Sequence, residues 1–256
     1  MRRTSFALSS VIILFFALIG ITIASVSGSV PPVVHVSSIE ELQDMIDRSP
    51  AVVATHGWMT IYLDEGHYEE TVADIGFKHR EVIELADKRN ISIIGMSKEV
   101  TITIKESDEA FAHSKGVDII SITNSSNLEL RGFTVEAKEY ERIRIQNTRN
   151  IAIDDSHNIT IKNLALNHQG YPGDARNILI KMANSRDCVV SDSVISHGAV
   201  GIALLNADNN VIYNNTIHCG AITEETRSIY LNGYNNTISF NNLFGPAKDD
   251  GKSNRW

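Results

Sequence analysis

The feature that most limits how this chain can fold is a short string that keeps returning, an Asn or Asp followed by alternating β-branched or aliphatic residues. It reads NISI, NLEL, NITI, DCVV, NVIY and NTIS, with anchors at Asn90, Asn127, Asn158, Asp187, Asn209 and Asn235. Three residues after each anchor stands Ile93, Leu130, Ile161, Val190, Ile212 or Ile238. Eight residues after stand Val135, Leu166, Ile195, Ile217 and Leu243, and only Lys98 in the first repeat breaks the series. Before the anchors runs another period-2 string: Ile120 and Ile122, Ile151 and Ile153, Ile180 and Met182, Ile202 and Leu204, Ile229 and Leu231. The anchors are spaced by 37, 31, 29, 22 and 26 residues. Repeats of this size made of short strands cannot bury an apolar face alone and must stack on their neighbours. Strands that return in register lie parallel, ~4.8 Å apart. The expected fold is an all-β solenoid, a single-stranded parallel β-helix over 36–256. Its regular coils run from about residue 50 to 245, and the uneven spacing is taken up by loops at one corner.

An Asn suits a corner because it tolerates unusual backbone angles and bonds to turn amides. Stacked Asn side chains can also bond to one another along the axis. Asn90, Asn158 and Asn235 begin Asn-x-Ser/Thr sequons, but an inward register for the anchors argues against their glycosylation. Asn124 and Asn214, off that column, are the better acceptors. Upstream, VSSIEELQDMID predicts a helix near 38–48, with Ser37 or Ser38 as cap and Glu40 or Glu41 three residues on. Its stripe of Ile39, Leu42, Met45 and Ile46 suits a lid over the open end of the first coil, which TIYLDEGHYEETV would begin.

Residues 1–27 read as a signal peptide: Arg2 and Arg3, an apolar run, then small residues at Ser25 and Ser27. The apolar run is long, so an uncleaved membrane anchor is the competing reading. Either way the remainder is secreted, periplasmic or on the cell surface, and the membrane is a partner only if the segment stays. The 256 residues carry 23 Lys and Arg against 31 Asp and Glu, a net charge of −8. Removing Arg2 and Arg3 leaves 23 − 2 = 21 bases and a charge of −10. Such a surface repels phosphate backbones, which argues against nucleic acid as a partner. Cys188 and Cys219 can pair in an oxidising compartment only if the fold joins them.

The order of cap helix, IYLDEGHYEE, NISIIG and then NNVIYNNTIHCG and NNTISFNNLFGPAKDDGKSNRW resembles the right-handed parallel β-helix, or pectin-lyase-like, superfamily. Within it the later coils look most like NosD-type domains and carbohydrate-binding and sugar-hydrolase repeats. The resemblance implies a right-handed helix and a polysaccharide or cell-surface glycan as partner. Activity is not implied, because the fold hosts lyases, hydrolases, epimerases and non-catalytic proteins. NTRN at 147–150, IDDSHN at 153–158 and SHG at 196–198 echo polygalacturonase-like motifs, but Arg149 replaces the first acid and no Arg-Ile-Lys follows.

Two constellations remain as candidate sites. In the first, Asp154 and Lys181 point outward on neighbouring rungs, and His157 and Arg186 each precede an anchor, with Asp155 close by. Those five side chains suit glycan binding, or proton transfer in a polysaccharide lyase or glycoside hydrolase. In the second, His168, His197 and Cys219 stand ten residues after successive anchors. These residue types hold copper or zinc, and the NosD resemblance implies copper handling. After Gly245 only PAKDDGKSNRW remains, with no strand expected in it. The sequence thus predicts a missing C-terminal cap, end-to-end self-association there, and Trp256 either covering the last rung or disordered.

Overall fold

The computed structural model describes residues 31–72, 80–97, 99–106, 116–138, 148–169, 177–219 and 226–256. The signal-like segment and Lys98 lie outside them. The alternating residues form short strands that pair in parallel with the equivalent strand of the next coil, building three sheets. The first face stacks Val33–Val36, Met59–Leu63, Arg89–Gly95, Ser126–Arg131, His157–Lys162, Val189–Ser191, Val211–Tyr213 and Thr237–Ser239. The second stacks His67–Val72, Thr101–Glu106, Thr134–Lys138, Ala165–Gln169, Val194–Gly198, Thr216–Cys219 and Asn242–Phe244. The third stacks Arg80–Ala86, Val117–Thr123, Arg149–Asp154, Ile178–Ala183, Val200–Leu205, Arg227–Asn232 and Ala247–Asp249. The chain visits the three faces in turn and advances one rung per circuit. It is a right-handed parallel β-helix.

The core is the stack of columns that the repeats specify. Ile93, Leu130, Ile161, Val190, Ile212 and Ile238 pair rung to rung and are buried. Where Lys98 breaks the plus-eight series, Ile102 takes the place and pairs with Val135, because the first coil has a longer corner before it. Spacing varies mainly between the second and third faces. There the links run from the single residue Ala199 to segments such as 107–116 and 139–148.

The other two corners are tight, and left-handed residues make them so. Asp87, Asn124, Asp155, Asn184 and Asn206 have φ between 49° and 58°, and the anchors three residues later have φ between 55° and 57°. A Cβ in this region costs ~1–2 kcal/mol, which Asn and Asp offset by local hydrogen bonding. The anchor side chains correct one expectation: they point outward at the corner, and Asn158, Asn209 and Asn235 are exposed. Their ladder runs along the outside, from Asn158 Nδ2 to Asn127 Oδ1 (2.6 Å) and from Asn127 Nδ2 to Asn90 Oδ1 (2.8 Å). The buried amide ladder lies one residue later, where Asn210 and Asn236 follow Ile91, Leu128, Ile159 and Cys188 in the inner column. Asn124 and Asn214 are tied too, donating to Asp87 and Asp192. Hence all five sequon Asn side chains donate their amide within the corner stacks.

Helix α1, Ile39–His56, closes the first coil and is longer than its sequence pattern, passing through Pro50 to a left-handed Gly57. Ser38 is the cap, accepting from the Glu41 N–H at 3.1 Å, while Glu41 bonds back to Ser37. Ile39, Leu42 and Ile46 are buried against the core. Gln43 also closes the third sheet's edge: its amide donates to the Glu84 carbonyl (3.1 Å) and accepts from the Glu84 N–H (2.9 Å). The strand Val33–Val36 before the helix was not apparent from the sequence; Tyr68 holds it by donating to the Val36 carbonyl at 2.6 Å.

The other end also departs from expectation. PAKDDGKSNRW does contain a strand, Ala247–Asp249, which pairs with residues 229–231, and bridges continue at Lys252 and Arg255. Asp249 replaces an apolar inward residue and collects the Gly251 N–H, the Asn254 amide and the Trp256 indole N–H at 2.9, 2.8 and 3.1 Å. Trp256 is 55% exposed, so it fastens the coil through its N–H and does not plug the core. The cysteines stay apart. Cys188 lies in the inner column, where burial pushes its thiol up to about 11, and Cys219 faces Ser228 Oγ at 3.3 Å.

Candidate functional site

Alternation along Arg149–Asp154 turns Ile151 and Ile153 into the core and leaves Asp154 outward at the strand's end. The register pairs Asp154 with Ala183 and sets Lys181 beside Ala152. The lysine nevertheless crosses diagonally, and its Nζ lies 2.9 Å from Asp154 Oδ1. Its stem is largely covered, with the Lys181 side chain 18% exposed and Asp154 31%. Asp155 follows at the left-handed corner, exposed. Beyond the corner, on the first-face side, His157 and Arg186 bridge in parallel register, as their common position before an anchor requires. Arg186 then turns to Asp187 Oδ2 at 3.1 Å. The structure thus joins Asp154 and Lys181 on one side of the corner and sets His157 and Arg186 on adjacent rungs on the other, with Asp155 at the turn between them. The Lys181 Nζ donates to Asp154 and carries further N–H donors, which suits contact with ligand oxygens.

The sequence missed a second ion pair at the opposite edge of the third face. Arg149 Nε and Nη2 both reach the Asp118 carboxylate, the latter at 2.9 Å, and the Asp118 side chain is only 4% exposed. Two ion pairs therefore bracket the face. The signal was present: Arg149 and Asp118 both stand just before their strands' apolar pairs, in matching register.

His168, His197 and Cys219 are not brought together. His168 points inward, is buried, and its Nε2 lies 2.6 Å from Asn177 Nδ2. At the next rung a bulge shifts the register between Ser196 and Gly198, so Gly198 takes the inward place and pairs with Cys219. His197 is the extra residue, turned outward with φ 69° and exposed. Counting a fixed ten residues from each anchor fails at that bulge. Among the described residues no group of three or more His, Cys, Asp and Glu side chains is arranged to hold a metal ion.

On the outer side of the second face, Glu136, Asn167 and His197 form a chain instead. Asn167 Nδ2 donates to Glu136 Oε1 at 3.0 Å, and His197 Nδ1 lies 2.9 Å from Asn167 Oδ1. Lys138 Nζ stands 3.4 Å from Glu136 Oε2. One rung beyond His197, His218 stacks on Phe244 of the following rung with centroids 4.0 Å apart.

No protein-family model and no curated protein matches this chain. Among solved structures it is similar to a pectate lyase from Bacillus sp. N165 in complex with trigalacturonate, at 18% identity and TM-score 0.50, over 82% of this chain and 64% of the lyase. It is also similar to ORF18 of Geobacillus virus E2, at 10% identity and TM-score 0.43, over 96% of this chain and 54% of that one. A third is the tailspike of E. coli bacteriophage HK620 in complex with a pentasaccharide, at 13% identity and TM-score 0.35, over 80% of this chain and 47% of the tailspike. The chain spans less than two thirds of each of these proteins. Pairing, rung order and the likeness to the pectate lyase agree on one conclusion: the chain has the right-handed parallel β-helix fold.

Proposed function

We propose that this chain is an exported or cell-surface module that binds a polysaccharide along the outside of its β-helix. The observation that carries the reading is the Asp154–Lys181 ion pair with His157 and Arg186 on adjacent rungs beyond the same corner. Asp154 with Lys181 lies on the third face, Asp155 at the turn, and His157 over Arg186 beyond it. Successive rungs repeat every ~4.8 Å, so fixed donors and acceptors recur along the axis as they do along a linear glycan. The lyase complexed with trigalacturonate shares this fold, which makes a sugar a reasonable occupant. Lys181 and Arg186 are both engaged as donors to carboxylates, an arrangement that favours holding ligand oxygens. Export rests on the apolar, Arg-led segment before residue 28. Among the described residues no helix is long and apolar enough to cross a membrane.

A glycan array probed with the protein tests the binding, with Lys181→Ala and Arg186→Ala alongside. The reading expects retention on at least one glycan class and weaker retention by both variants. Uniform failure to bind would overturn it. Cell fractionation tests export: the chain should be recovered outside the cytoplasm.

A further inference from the structure

The bulge at His197 has no counterpart at the preceding rung. There Asn167 points outward and His168 inward, in strict alternation. At the rung of Ser196 the chain inserts an extra residue, gives the inward place to Gly198, and turns His197 outward with φ 69°. The inward place has no room for a side chain: a Cβ on Gly198 would lie 2.8 Å from Leu179 Cγ and Cδ1. The bulge residue is under no such limit, and a left-handed backbone favours Gly or Asn there over His. Bulges next to functional sites re-aim side chains, and strained non-Gly residues cluster at such sites.

The hydrogen-bond chain fixes the chemistry of the imidazole. A carboxylate only accepts, so Asn167 must present its Nδ2 to Glu136 and its Oδ1 to His197. The proton of neutral His197 therefore sits on Nδ1, leaving the exposed Nε2 lone pair aimed at solvent. Glu136 is in turn held by Lys138. The result is an oriented acceptor next to a carboxylate, on a protein of net charge −8. That combination repels anionic sugars and accepts a hydrogen bond from a hydroxyl group.

We propose that Glu136, Asn167 and His197 form a hydroxyl-binding subsite for a neutral glycan on the second face, with His197 Nε2 as acceptor and Asn167 as a positioning residue. The subsite rests on the polysaccharide-binding reading but occupies a different face from the Asp154–Lys181 pair.

Two measurements on the full chain test it. Long-range 15N–1H NMR of the imidazoles should show His197 in the Nδ1–H form at neutral pH, and Asn167→Leu should release it. An Nε2–H form in the wild type would overturn the proposal. Binding is then measured for maltohexaose, cellohexaose, laminarihexaose and trigalacturonate, with wild type, His197→Gly and His197→Asn. Because Gly relieves the left-handed strain, His197→Gly should melt at or above the wild-type temperature. It should still lose affinity for a neutral hexasaccharide by about two- to ten-fold, the scale of one lost hydrogen bond. His197→Asn, which also tolerates this backbone, should show the same loss. Equal binding by wild type and both variants would overturn the subsite and leave the broader reading standing. Binding of trigalacturonate alone would likewise overturn it, and no binding by the wild type would overturn both.

Discussion

Ser49 Oγ donates to the Ile46 carbonyl at 2.6 Å, supplying the hydrogen bond that Pro50, four residues after Ile46, cannot give. The hydroxyl is buried, with Ser49 at 1% exposure, so the carbonyl has no access to water as a substitute. This exchange lets α1 run through a proline and still cover the first coil. Ser49→Ala should therefore cost about 1–3 kcal/mol, the penalty of an unsatisfied buried acceptor. Adding Pro50→Ala restores an N–H and should recover most of it. Urea denaturation of the two single variants and the double variant checks the coupling; additive effects would show that the hydroxyl is not standing in for the missing amide.

The interior column gives a stronger test of the fold. Ile212 is fully buried between Val190 and Ile238. Ile212→Asp places an unpaired carboxylate in that column, at a cost of several kcal/mol, and should prevent folding. Ile212→Val should cost only about 0.5–1.5 kcal/mol. Circular dichroism and thermal melting of both variants separate these outcomes.

At the outer ladder, Asn127 has φ 56°, accepts from Asn158 and donates to Asn90. Asn127→Ala loses both bonds and keeps the left-handed strain, for an expected loss of about 2–3 kcal/mol. Asn127→Gly removes the same bonds without the strain and should lose about half as much. Chemical denaturation gives the comparison; equal losses would mean that backbone strain contributes nothing there.

The final coil should be acid-sensitive. Burial acts to raise the Asp249 carboxyl, but the Trp256 indole, the Asn254 amide and the Gly251 N–H together hold it below the usual carboxylate range. A depressed carboxyl contributes stability above its unfolded value of ~3.9 that is lost as pH falls through the folded one. Loosening of residues 247–256 is thus expected only below about pH 4. Amide exchange of that segment from pH 7 down to pH 2.5 follows it, and Asp249→Asn should flatten the profile.

Much of the architecture was legible because a solenoid repeats its instructions. The columns of Ile161 and Ile212, and the strands around Ile151 and Ile202, follow from spacing alone. What escaped were places where a local hydrogen bond overrides the pattern. Ser49 carries α1 past the point where its apolar stripe fades. Asp249 closes a strand that hydropathy could not mark, since an exposed carboxylate stands where Leu231 stands one rung earlier. The outward turn of the anchors is not legible in sequence, because a two-residue period cannot say which parity a left-handed corner selects. The site was less legible for the same reason. One inserted residue at His197 is invisible in composition, yet it separates His197 from His168 and Cys219. Lys181 and Asp154 sit on neighbouring rungs as their register implies, and the long lysine side chain spans the diagonal offset between them.

The central claim is that a glycan lies along the outside of this β-helix, across successive rungs. Titrating the isotopically labelled protein with the glycan returned by the array, and mapping the amide shifts, tests it most directly. The account predicts perturbations in a contiguous strip of outward positions on neighbouring rungs, including Asp154 and Lys181. Shifts scattered over the inner columns, or none at saturating glycan, would contradict it.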